Sequence, residues 1–280
     1  MQERLVSKVV KGRAAIDGAG VKLVRVFARD EVVDFDPFLM LDAFDSTNSE
    51  DYIKGFPWHP HRGIETITYL IKGEIVHEDS LGNSGVIRDG DCQWMTAGSG
   101  ILHQELPQDS EMMYGLQIWL NLPKKYKMTH PKYNDILSKD VPEVERKGQT
   151  IRIIAGSFNG QEGAFNGDFV KPNIYDVSLI KGNVFEVETD SQENTFIYVF
   201  KGQGKVSKSE INEKSAIVFT KGDKLIIEAL SDDFRFMYFS GLPLRESISW
   251  GGPIVMNTKE ELDVAFNELK EGSFIKHSAE

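Results

Sequence analysis

Cysteine is nearly missing from this 280-residue chain: Cys92 stands alone. A single thiol excludes an internal disulfide, fits a reducing compartment and leaves no thiolate set for a closed structural zinc site. Long apolar runs are missing too. No stretch of about 18 apolar residues occurs, so no membrane-spanning helix is expected. The opening MQERLVSK lacks the apolar segment of a secretory signal. These absences predict a cytoplasmic protein without membrane contact. Positive charge is also short, with 32 Lys and Arg against 43 Asp and Glu, a net charge of −11. No clustered basic stripe offsets this, so phosphate neutralisation cannot drive binding and direct nucleic-acid contact is not expected. A protein partner for such a surface would be basic.

Helical periodicity is scarce as well. Most of the chain reads as short β-rich runs, among them 64–70, 115–120, 151–154, 175–180, 195–200 and 234–239. Turn signals separate them, such as Leu81-Gly-Asn-Ser-Gly85, Arg88-Asp-Gly-Asp91, Asn159-Gly160 and Lys221-Gly-Asp223. Strands at this spacing, without helices between them, predict an all-β, antiparallel fold of sandwiches or barrels. YLIKGEI at Tyr69 resembles YVFKGQG at Tyr198, and RDGDCQW at Arg88 resembles TKGDKLI at Thr220. The similar offsets predict two related β-domains in tandem, residues 1–135 and 136–280, with the polar stretch Lys124–Gln149 as their connection. One helix is expected near the C-terminus. Thr258 and Glu261 form a capping box, Leu262, Phe266 and Leu269 share a face, and Gly272 supplies the stop.

The chemistry concentrates in two short pairs. His59 and His61 bracket a proline, and His103 and Glu105 follow Gly98 and Gly100. On extended backbone, residues i and i+2 point to the same face. Two neighbouring strands would then present three imidazoles and one carboxylate to one place. Imidazole suits Fe, Ni, Cu and Zn, and a carboxylate adds charge that favours a harder ion. Four ligands on an octahedral ion leave two positions open. A single His-x-His is weak evidence, because histidine is often a structural hydrogen-bonder. Two such pairs, holding half of the six histidines, point to metal.

The stretch HPHRGIETITYLIKGEIVHEDSLGNSGVIRDGDCQWMTAGSGILHQELP (His59–Pro107) resembles the pirin family of the cupin superfamily. DPFLMLDAFD (Asp36–Asp45) and PLRESISWGGPIVMNTKEEL (Pro243–Leu262) extend the resemblance over nearly the whole chain. It departs from the general cupin pattern at Pro107, where an Asn is expected. The resemblance implies a bicupin, two β-barrel jelly-roll domains with a short C-terminal helix and one mononuclear divalent metal in the first domain. It implies Fe(II) held by His59, His61, His103 and Glu105, with Zn, Ni, Mn, Cu or Co as alternatives. The implied activity is that of a quercetin 2,3-dioxygenase, opening a flavonol-type aromatic enol with O2 and releasing carbon monoxide, with Glu105 as the catalytic base. The implied alternative is a metal- or redox-sensing regulator acting through a protein partner. A monomer is expected.

By the repeat offset, Glu188 and Asp190 stand for His59 and His61 in the second domain, and Arg235 and Met237 for His103 and Glu105. That domain is therefore expected to lack a site. Other candidates carry a plainer reading beside the functional one. Glu65 and His77 are candidates to support the ligands from behind, or else ordinary barrel residues. Arg62 is a candidate partner of Glu65, or a surface ion pair. Trp58, Trp94 and Met95 are candidates to wall an aromatic pocket, with core packing as the default. Cys92 reads as a small buried apolar residue, and His130 and His277 as loop residues without a role. The glycine-rich 155–167 reads as a turn-rich hairpin, not a phosphate loop.

Overall fold

The structure, a computed structural model, describes residues 2–277. In chain order the first strands are β1 (Val6–Lys11), β2 (Arg13–Asp17), β3 (Val21–Phe27), β4 (Phe38–Ser46), β5 (Phe56–His61) and β6 (Ile64–Lys72). They continue with β7 (Ile75–Asp79), β8 (Ser84–Ile87), β9 (Cys92–Thr96), β10 (Ile101–Pro107), β11 (Met113–Asn121) and β12 (Lys132–Ile136). Helices are α1 (Val32–Phe35), a single turn, and α2 (Lys259–Glu271). All strand pairings within the sheets are antiparallel, and the fold is the expected all-β bicupin.

The chain divides into two compact units. One consists of Arg13–Arg29, Phe38–Ser138 and Leu244–Glu280, the other of Met1–Gly12, Asp30–Pro37 and Lys139–Pro243. Each unit is discontinuous in sequence, since the N-terminal segment belongs with the later unit and the C-terminal segment with the earlier one. Strand β1 pairs with Ser215–Phe219 in the second unit, and α2 packs in the first. Backbone donors and apolar helix faces go where an edge or a core is open to them, whatever their place in the sequence. The stretch Lys124–Gln149 is likewise more than a connection, since β12 is hydrogen-bonded to β9 as an edge strand.

In the first unit, a seven-stranded sheet (order β12-β9-β6-β11-β4-β3-β2) lies over a four-stranded one (β5-β10-β7-β8). Strand β6, IETITYLIK, is buried on both faces up to Lys72, as suits β-branched and aromatic residues at the centre of a sheet. Strand β10 alternates instead. Ile101, His103, Glu105 and Pro107 are buried, and the residues between them are partly exposed. Helix α2 carries the expected capping box and ends at Gly272, which adopts φ 74°. Its Leu262, Phe266 and Leu269 pack on Ile254, Met256 and Phe274.

The second unit repeats the plan, with a four-stranded sheet of Val184–Glu188, Lys224–Ala229, Gln203–Val206 and Ser209–Asn212. Lys224–Ala229 is thus the counterpart of β10, and the constant repeat offset fails. The turns are shorter here: Val206 to Ser209 replaces Asp79 to Ser84, and Asn212 to Ser215 replaces Ile87 to Cys92. The positions equivalent to His59, His61 and His103 of the first unit are therefore Phe185, Val187 and Ile227 in the second, and all three are core residues. Arg235 and Met237 belong to the counterpart of β11, where Arg235 pairs with Asp176. Glu188 and Asp190 are exposed. The site is absent because its place is filled. Phe185 stacks on Phe158 at 5.8 Å and meets Phe236 edge-on at 5.5 Å. Phe185→Ala should cost about 3–5 kcal/mol of stability in chemical denaturation, while metal content per chain stays unchanged.

Candidate metal centre

Strands β5 and β10 pair so that His59 lies opposite His103 and His61 opposite Ile101. Because β5 is an edge strand, Pro57 and Pro60 deprive no inner ladder of a donor. A bulge falls between Phe56 and His59, opposite Glu105–His103; such bulges raise local twist and re-aim side chains. The end of β5 is pinned at Gly63, whose N–H donates to the Gly98 carbonyl at 2.8 Å. Gly63 has φ 78°, and a Cβ there would stand 2.0 Å from the Val255 carbonyl oxygen, so no side chain fits.

Three imidazoles converge. His59, His61 and His103 each offer a ligand atom, and these atoms lie within 4.8 Å of one another. His59 Nδ1 is 2.9 Å from the Pro57 carbonyl oxygen, and His61 Nδ1 is 3.0 Å from that of Pro253. A carbonyl can only accept, so both Nδ1 atoms carry hydrogen, and Nε2 is the atom each ring leaves to face an ion. His103 is fully buried, and neither of its nitrogens has a hydrogen-bond partner. An unpaired buried polar atom costs about 1–3 kcal/mol, which a bound ion would relieve. Burial, reinforced by the neighbouring His59, lowers the pKa of His61 to about 3. Burial, then His61 and His59, holds His103 well below its usual range. Neutral imidazoles are the ligating form, so the donor set fits one metal ion.

Glu105 is not a member of that set of atoms, but it lines the same cavity. Its carboxylate is tightly held. Thr68 Oγ1 donates at 3.1 Å, and the Gln117 amide donates to both oxygens at 3.0 and 2.9 Å. The indole N–H of Trp119 points to Gln117 Oε1 at 3.3 Å. Indole only donates, so this contact turns the amide nitrogen toward Glu105. The cavity holds about 640 Å³, and its walls include Met40, Phe56, Trp119 and Trp250. Trp119 meets His61 edge-on at 5.0 Å and Trp250 at 5.7 Å.

Comparison with known proteins places this geometry in a lineage. The Pirin family model matches residues 20–120, and that of the Pirin C-terminal cupin domain matches residues 174–275. The chain belongs to the pirin family. It is 41% identical to a pirin-like protein of Caulobacter vibrioides over 98% of this chain and 100% of that one. A relative in Thermoplasma acidophilum, provisionally named a quercetin 2,3-dioxygenase, is also 41% identical, over 84% of this chain and 97% of its own. The crystal structure of quercetin 2,3-dioxygenase from Acinetobacter baumannii superposes with a TM-score of 0.89 at 32% identity, covering 97% of this chain and 98% of that one.

Within this pirin fold the other expected residues sort clearly. Glu65 accepts from Thr96 Oγ1 at 2.7 Å and is no part of the histidine cluster. Arg62 neither pairs with Glu65 nor lies on the surface. It is buried, donates to the Ser99 carbonyl at 2.7 Å and pairs with Glu268 of α2, also at 2.7 Å. His77 is buried against Tyr133, with its ring centroid 5.3 Å from that of His103. Trp94, Met95 and Cys92 are buried in the interior and Trp58 is half-exposed; none of them lines the cavity. His130 and His277 lie against each other, with tilted rings whose centroids are 4.0 Å apart. The walls the sequence reading missed are Trp119 and Trp250. Gln117 and Trp119, at i and i+2 on β11, carried the same spacing signal as the ligand pairs but lacked histidine to draw notice.

One buried cation supports the turn after His61. Lys127 Nζ donates to the carbonyls of Gly63 and Val255 and to Asn121 Oδ1, at 2.8, 2.9 and 2.6 Å. Burial dominates over the distant Glu246 and Glu261 and lowers its pKa from 10.5 to about 7. Between those values the unfolded chain binds the extra proton. Stability relative to Lys127→Met should therefore be flat below pH 7 and rise by up to ~1.4 kcal/mol per pH unit above it, as read from denaturation midpoints at pH 6, 7, 8 and 9. His103→Ala should lower bound metal from about one ion per chain to near zero by elemental analysis, with an unchanged circular dichroism spectrum.

Proposed function

We propose that this protein is a metal-dependent dioxygenase that opens a flavonol-type aromatic enol with O2, with Fe(II) as its resident ion. The observation that carries the reading is the meeting of three imidazoles and a hydrogen-bonded carboxylate with an aromatic-walled cavity of about 640 Å³. That volume lies in the range of small-molecule sites, roughly 300–1,000 Å³. The family relatives named for quercetin 2,3-dioxygenase activity support the same substrate class.

In this proposal His59, His61 and His103 hold the ion, and Glu105 is both fourth ligand and base. Bound there, the metal supplies Lewis-acid stabilisation of a deprotonated enol and access to O2 chemistry. The protein does the rest. Trp119 and Trp250 offer flat faces against which aromatic rings stack, and they exclude water from the ligand side. Glu105 takes the substrate hydroxyl proton. The Gln117 amide donates to both carboxylate oxygens, which fixes the carboxylate's orientation.

Oxygen uptake by anaerobically purified, Fe(II)-loaded protein given quercetin tests the proposal, with carbon monoxide detected alongside and His103→Ala as the blank. Metal-dependent uptake with carbon monoxide release is the expected result. No uptake from a fully loaded site would sink it and favour the metal-sensing regulator. Glu105→Gln should keep much of the metal while turnover falls by about 10²–10⁴-fold, the range for a lost general base. Turnover equal to wild type would remove Glu105 from the chemistry.

A further inference from the structure

Two arginines line the cavity, and they differ in one respect. Arg25 is fully engaged: its Nε and Nη2 donate to the two oxygens of buried Asp42 at 2.9 and 2.7 Å, and Nη2 reaches Asp17 at 2.7 Å. Arg29 has no carboxylate partner among the described residues. Its one hydrogen bond, from Nη2 to the Trp250 carbonyl at 2.7 Å, leaves its other N–H groups available. Its guanidinium lies 5.6 Å from the Trp250 ring centroid. The other charged groups of the lining are all answered, Asp17 and Asp42 by Arg25 and Glu105 by Gln117 and Thr68. Arg29 is the exception in a chain of net charge −11.

Its position gives this meaning. His61 touches Trp119, Trp119 touches Trp250, and Trp250 touches Arg29, with separations of 5.0, 5.7 and 5.6 Å. The row runs from the histidine cluster along two indoles to an exposed cation. A flat ligand whose oxygen sits at the histidines would lie along those indoles and bring its far end to Arg29. We infer that Arg29 is a specificity-determining residue that pairs with an anionic substituent, a carboxylate or sulfonate, on the end of the aromatic substrate remote from the metal. This rests on the cavity being the aromatic-binding site proposed above. A guanidinium beside an indole is well suited to the task, since its planar fork matches two anionic oxygens while the ring shields one face from water.

Quenching of tryptophan fluorescence by quercetin and by a quercetin sulfonate tests the pairing without needing turnover, in mildly acidic buffer where the flavonol hydroxyls are neutral. Wild type should bind the sulfonate about 3–10-fold more tightly, a range scaled down from a buried charge-assisted bond because Arg29 is exposed. Arg29→Gln should bind the two ligands equally while keeping its quercetin affinity. Arg29→Lys should retain part of the preference. The preference should shrink at ~1 M salt, where the screening length falls to about 3 Å. Equal affinities in wild type would overturn the inference. So would an Arg29→Gln variant weakened equally for both ligands, which would make Arg29 a prop for Trp250. Anion preference without ring cleavage would sink the dioxygenase reading alone, and ring cleavage without anion preference would sink only this one. Failure of both ligands to bind would overturn both.

Discussion

The pairing of β5 with β10 is the constraint on which the site depends. It sets His59 directly across from His103 and puts His61 two residues further along the same face. A slip of β5 by one residue would turn His59 and His61 away from His103, because side chains alternate across a strand. Several features hold the register. The bulge beside His59 adds twist, the two prolines are tolerated because β5 is an edge, and Gly63 closes the strand where any larger residue would strike Val255. Lys127 and Arg62 anchor the following turn through buried hydrogen bonds, so the short ligand strand is fixed from its far end.

The same plan occurs twice, and the difference between the copies is one of filling. In the second unit the equivalent positions are Phe185, Val187 and Ile227, and the interior is a continuous apolar cluster. Imidazoles placed there would be buried without partners. In the first unit His103 is in that situation, with both ring nitrogens unpaired, and a bound metal ion would be the compensation for such burial. A site of this kind is maintained against stability, so it persists where it has a use.

Polar groups around the cavity are ordered with the same economy. Trp119 orients Gln117, and Gln117 orients Glu105, each through a group that can act only as donor or only as acceptor at that contact. Trp119 also touches His61 and Trp250, so one side chain joins the ligand cluster, the carboxylate network and the aromatic wall. The wall is assembled from distant parts of the chain, β4, β11 and the segment around Trp250.

Much of this was legible in the sequence. The all-β class followed from short strand-forming runs and turns, and α2 from its capping box, because both signals are local. His59, His61, His103 and Glu105 stood out because a period of two puts each pair on one face whatever the surrounding fold. Motif resemblance added the family. What the sequence could not decide was long-range. The constant repeat offset misplaced Arg235 and Met237, since turn lengths differ between the units and only hydrogen-bonded register defines equivalence. Burial of Arg62, the partnership of Trp119 with Gln117 and the arrival of Trp250 at the cavity all join residues far apart in the chain. Spacing along a strand is written in the sequence; which strands become neighbours is settled only when burial and backbone pairing are satisfied together.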